Sequence, residues 1–111
     1  PGFSWYNWND GSKNEIPRRG GQHLWEQVYY SADLEFDAMY VAMFDEYDEA
    51  TAIAKAAEDD SMTPGNQYFL TLNEDGIEMS SDFYLRLTGA AGKMIKGEKA
   101  ATYEVPIPYF E

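Results

Sequence analysis

At 111 residues the chain suits one domain, or one piece of a larger one, and is long enough to bury a core. It is 44% hydrophobic and 16% aromatic, too apolar for a disordered segment. Twenty acidic residues against eight basic ones give a formal net charge of −12, a field that speaks against nucleic acid and anionic lipid headgroups as partners.

The absence of cysteine excludes disulfides and thiol chemistry without choosing a compartment. No stretch approaches the roughly 20 apolar residues of a membrane span. The chain starts Pro1-Gly2-Phe3, with neither initiator Met nor signal peptide, as expected of a piece of something longer. No repeat or low-complexity segment interrupts it.

Gly2-Phe3-Ser4-Trp5 reads as a short strand running into a loop, Tyr6-Asn7-Trp8-Asn9-Asp10-Gly11-Ser12, whose Asn, Asp, Gly and Ser content signals irregular backbone. Gly20-Gly21 marks the start of a helix from Gln22, because Leu24, Trp25, Val28, Tyr29 and Ala32 recur on one face. Residues 38–44 form an uninterrupted apolar run, which predicts a strand buried on both faces of a parallel sheet. Strand, helix and strand compose a βαβ unit, with residues 3–5 and 39–44 as neighbouring parallel strands.

After Asp45 the alanine-dense residues 51–58 predict a short helix, and residues 59–66 a loop holding Pro64-Gly65. Residues 68–72 are strand-like, and Asn73-Glu74-Asp75-Gly76 is a turn with Gly where positive φ is wanted. Ser80 or Ser81 can cap a helix whose buried stripe is Tyr84, Leu87, Ala91, Met94 and Ile95. In that helix Lys93 and Lys96 sit near the negative dipole end, and Gly97 closes it. Tyr103, Val105 and Ile107 alternate with Glu104, Pro106 and Pro108, an extended tail. The five methionines read as core filler.

Ten acids lie between Asp33 and Asp60, where Lys55 is the only basic residue. Two readings follow: a solvated acidic face, or a site. Parallel strands would end at one edge, bringing Trp5, Tyr6, Asn7 and Trp8 beside Asp45, Glu46, Asp48 and Glu49. Aromatic faces beside carboxylates suit a sugar cleft, and glycoside hydrolysis needs two carboxyl groups within roughly 5 to 10 Å. Glu46 and Glu49, three residues apart, can share a cleft where repulsion and burial would make one an acid, with Asp45 and Asp48 orienting neighbours. Trp5 and Trp8 could equally be packing residues, whereas Trp25 belongs in the core. Arg18 and Arg19 are read as offsetting the acids rather than binding a hydroxyl. His23, without a second histidine or a cysteine, is structural; no metal or cofactor is expected.

Phe44-Asp45-Glu46-Tyr47-Asp48-Glu49-Ala50-Thr51 resembles the Phe-Asn-Glu-Trp-His-Glu-Gly-Thr segment of the endo-α-mannosidase family, glycoside hydrolase family 99, and its 71/99-like relatives, matching at Phe44, Glu46, Glu49 and Thr51. The segments around Pro1-Gly2-Phe3-Ser4-Trp5, Ile16-Pro17-Arg18 and residues 41–46 are similar to proteins of that group described as bacterial and fungal xylosidases or arabinosidases. The resemblance runs from Pro1 to about Gly97 and implies an α/β fold, the last two β/α units of a (β/α)8 barrel, across residues 1–111. It also implies a secreted or periplasmic retaining glycosidase, with Glu46 as base toward the sugar 2-hydroxyl and Glu49 as general acid/base. Trp5, Tyr6, Asn7, Trp8, Asp45, Tyr47 and Asp48 would then line the site of an oligosaccharide or polysaccharide, and the remainder of the barrel would be the other partner. Asp45, Tyr47 and Asp48 replace the family's Asn, Trp and His, so sugar and linkage do not carry over. The competing readings are a non-catalytic carbohydrate-binding module and an acidic cation-binding or interaction domain, although residues 45–49 and 73–76 lack the spacing of an EF-hand loop.

Overall fold

In a computed structural model, residues 1–8 and 10–111 are described; Asn9, part of the expected loop, lies outside them. Two helices organise the chain, α1 (Gln22–Asp33) and α2 (Phe83–Ile95), with short 3-10 turns at Arg19–Gly21 and Asp60–Met62.

The helices follow their sequence pattern. Leu24, Trp25 and Val28 of α1 are buried, with Tyr29 and Ala32 packed at the margin. In α2 the buried set includes Tyr84, Leu87, Ala91 and Met94, and Ile95 packs beside them. The two stripes face each other, and Leu72 and Met79 close the core from the intervening loops. Trp25 is only 1% exposed, and each such large side chain is worth about 1.5 to 3 kcal/mol of burial.

Gly21 sits where α1 approaches α2. Its φ is 88°, and an added Cβ would lie 2.8 Å from Leu87 Cδ2 and Phe83 Cε1, so both backbone and space require glycine. At the other end of the core, Gly97 at φ 74° ends α2 as its position predicted. The α2 N-cap is Asp82 rather than a serine, and Ser80 Oγ donates to its carboxylate at 2.7 Å.

The tail forms no strand, bending at residues 103, 104, 107 and 109, and is bonded to both helices. Trp25 Nε1 donates to the Thr102 carbonyl at 2.8 Å, while Arg86 donates to the carbonyls of Pro108 and Tyr109, both at 3.0 Å. The tail therefore works as a strap held by side-chain donors rather than by a ladder of backbone bonds.

The α/β expectation is overturned. Among the described residues there is no sheet, and the only strand-type pairing is an isolated antiparallel bridge between Phe3 and Ile16; the chain is not two β/α units of a (β/α)8 barrel. Residues 39–44 are not a buried parallel strand beside residues 3–5, since Tyr40 is 83% and Phe44 59% exposed. Their backbone bonds turn to the segment just downstream: Met43 N–H reaches the Thr51 carbonyl at 3.0 Å, and Ala54 N–H the Phe44 carbonyl at 2.8 Å. An apolar run reports a preference for burial but cannot tell a strand from an irregular segment, and no neighbouring strand supplies a ladder.

Residues 51–58 are not helical either. Their amides and carbonyls bond outward, Ala56 N–H to Ser81 and the Ala57 carbonyl to Leu72 N–H, and a segment of this length gains too little from alanine propensity to resist such partners. Residues 68–72 likewise run without strand pairing. The Asn73 turn forms, closed by Gly76 N–H to Asn73 O at 2.8 Å with Gly76 at φ 78°. Of the methionines, Met79 and Met94 are core residues, but Met43 and Met62 are exposed.

Candidate functional site

The aromatic loop and the acidic turn do meet, by a different device from the one expected. Ser4 N–H donates to the Glu49 carbonyl at 2.9 Å. Asn7 then spans two segments, its side-chain amide donating to the Asp48 carboxylate and to the Tyr68 carbonyl at 2.9 Å. One short polar side chain thus fixes the N-terminal loop, the acidic turn and the residue 68 segment relative to one another.

The turn is closed from within. Glu46 Oε1 accepts the N–H groups of Asp48 at 2.8 Å and Glu49 at 3.3 Å, and the Glu46 carbonyl accepts from Thr51 N–H at 3.1 Å. Ala50, at φ 60° and buried, completes the reversal. Tyr47 is braced by its hydroxyl, which donates to the Lys55 carbonyl at 2.9 Å. Glu46, Asp48 and Glu49 are half-buried and Asp45 is exposed. The two glutamates consequently belong to one tight turn, with one carboxylate oriented by backbone donors.

The aromatics divide into two sets. Trp5, Tyr6 and Trp8 stay exposed, Trp8 by 50%, and the loop backbone holds them through Trp5 N–H to Ser12 O at 3.0 Å and Trp8 N–H to Trp5 O at 3.1 Å. Tyr6 leans edge-on against Tyr68, centroids 4.9 Å apart, and Lys13 Nζ sits over both rings at 4.5 and 4.4 Å. Burial, with Glu74 nearby, pushes the Tyr68 hydroxyl up to about 12, so it stays protonated at neutral pH.

Lys13 and Tyr68 went unrecognised in the sequence. A lysine inside an otherwise acidic and aromatic loop was the one available hint, and nothing links Tyr68 to Tyr6 before folding. Arg18 is buried, donates to the Thr71 carbonyl and lies 5.9 Å from the Tyr84 ring centroid. Arg19 is engaged by Glu26, Nη2 to Oε2 at 2.8 Å. Among the described residues no three histidine or carboxylate side chains are grouped to hold a metal ion.

Two cavities lie away from this turn. One of about 670 Å³ runs between α2 and the C-terminal strap, and one of about 200 Å³ is bordered by Glu58, Asp59 and Phe110. Residues 44–51 line neither of these two.

No protein-family model, curated protein or solved structure matches the chain.

Proposed function

We propose that this chain contributes a carbohydrate-active surface to a glycoside hydrolase, with Glu46 and Glu49 as the acid/base pair and Trp5, Tyr6, Trp8 and Tyr47 as sugar platforms. The observation that carries this reading is the Asn7 amide clamped between Asp48 and Tyr68, which sets an exposed aromatic loop against a turn bearing two glutamates. Sugar rings offer apolar faces to aromatic planes and hydroxyls to carboxylates. Glu46, oriented by two backbone N–H groups, is assigned as the base, and Glu49 as the acid toward the leaving oxygen. The motif likeness at Phe44, Glu46, Glu49 and Thr51 agrees with this division.

The pair lies outside both cavities, and that limits what the chain does alone. Hydrolysis gains from exclusion of water around the reacting carboxyls, and residues 44–51 line neither cavity. The isolated chain is therefore expected to turn over glycosides slowly or not at all, and the full-length protein to be active.

In that full-length protein, Glu49→Gln should depress single-turnover rates most for poor leaving groups, while Glu46→Gln should depress aryl and natural glycosides alike. Each loss should lie near the roughly 10²- to 10⁴-fold of acid/base catalysis. Near-normal rates for both variants, with folding intact, would remove the catalytic assignment. A second reading, saccharide binding without catalysis, is favoured by Glu46 already serving as the internal closure of the turn. Unchanged saccharide affinity in Glu46→Gln, with no turnover in the wild type, would select it.

A further inference from the structure

The larger cavity departs from the charge pattern of the rest of the chain. Only eight residues are basic against twenty acidic ones, yet Arg86, Lys93 and Lys99 all border this space and no aspartate or glutamate does. Its apolar lining includes Trp25, Ala90, Met94 and Ile107. At about 670 Å³ it falls within the roughly 300 to 1,000 Å³ of small-molecule sites.

The three cations do different jobs. Arg86 is consumed by structure, donating to Asp82 at 3.2 Å, to Ser80 Oγ at 2.7 Å and to the strap carbonyls. Lys93 and Lys99 are exposed and join no ion pair among the described residues. Near the end of α2 the carbonyls of Gly92, Lys93 and Met94 are taken by the N–H groups of Lys96, Glu98 and Gly97 respectively, and among the described residues neither the Lys93 nor the Lys99 side chain bonds there. An apolar trough with two uncommitted ammonium groups suits a ligand with an apolar body and one anionic head.

We propose that the space between α2 and the C-terminal strap binds an amphipathic monoanion, its alkyl or aromatic body against Ala90, Pro106 and Ile107 and its carboxylate, sulfonate or phosphate diester between Lys93 and Lys99. The site is separate from the acidic turn and does not depend on the carbohydrate reading. The field of the whole molecule makes the test sharp: a chain of net charge −12 attracts cationic amphiphiles over most of its surface, so preference for the anion can come only from a local site.

Titration calorimetry with decanoate and with decyltrimethylammonium, both below micelle-forming concentration, decides the matter. Decanoate should bind with 1:1 stoichiometry and about tenfold more tightly than the cation of equal chain length. The Lys93→Met/Lys99→Met variant should remove that preference while keeping the apolar stems. Gly89→Leu should abolish binding, since Gly89 borders the cavity and an added Cβ there meets nothing within 4 Å. Leucine is also the better helix former, so unfolding is not the cause if helical circular dichroism is retained. Absence of decanoate binding, equal affinity for the cation, or binding unchanged in Gly89→Leu would each overturn the proposal.

Discussion

The α1/α2 face and the face built from residues 1–16 and 34–56 are held together by opposite means. On the helical face the backbone is bonded chiefly along each helix, and large side chains such as Phe83, Leu87 and Val28 are fully buried. On the other face Phe36, Tyr40, Phe44 and Trp8 are exposed; Met39, Val41 and Ile53 lean on the helical core from its margin, and the rest is ordered by scattered hydrogen bonds, those of Asn7, Ser4 and Glu46 among them. Burial supplies stability on the first face. On the second, a few polar contacts supply geometry and leave apolar surface open for a ligand or for more protein.

Deleting core volume should show the largest effect and break the helical face. Leu87→Ala removes a side chain that is 0% exposed, and should cost about 2 to 5 kcal/mol in denaturant unfolding. Gly21→Ala should be similarly damaging, because the added methyl meets Leu87 and Phe83 at a backbone angle that alanine resists. A loss below about 1 kcal/mol in both would mean that the stability lies elsewhere.

Asn7→Ala should act on the other face alone. It leaves Asp48 and the Tyr68 carbonyl without their donor, costing about 1 to 3 kcal/mol locally. Amide exchange should accelerate in residues 3–16 and 43–54 while α1 and α2 keep their protection. Equal acceleration in the helices would make the two faces one cooperative unit.

The contrast also explains what could be read from sequence. Helical stripes repeat within the element itself, so Leu24, Trp25 and Val28 in α1 and Tyr84, Leu87 and Met94 in α2 disclosed both element and burial. Strand identity depends on a partner, and residues 39–44, apolar throughout, found theirs in Thr51 and Ala54 of the neighbouring loop. The meeting of aromatic loop and acidic turn was anticipated from a sheet edge that does not exist; Asn7 brings it about instead. Lys13 in an acidic, aromatic loop hinted at a cation–ring contact, but its pairing with Tyr6 and Tyr68 could not be read, because a long-range contact leaves no periodic trace.

The smallest effect concerns pH and the strap. Hydrogen bonds from Arg19 and then Tyr103 hold the half-buried Glu26 carboxyl down, from 4.5 to about 2. A depressed carboxylate contributes its stability above its unfolded value and loses it as pH falls through the folded one. Attachment of the strap at Tyr103 should therefore weaken between about pH 4.5 and 2. Fluorescence of Trp25, bonded to the adjacent Thr102 carbonyl, should report it, and Glu26→Gln should flatten this acid limb. An unchanged limb in that variant would place the titration elsewhere.

On the proposed reading, the loop carrying Trp5 and Trp8 and the turn carrying Glu46 and Glu49 form one saccharide surface. The chain has three tryptophans, hence three indole N–H signals that nuclear magnetic resonance can follow while xylo-, arabino- and manno-oligosaccharides are added. At least one of these sugars should shift the Trp5 and Trp8 signals together with the amides of residues 46–49 and leave buried Trp25 in place, and Asn7→Ala should abolish the response. Signals that stay fixed for all three sugars, or shifts confined to Trp25, would contradict the claim.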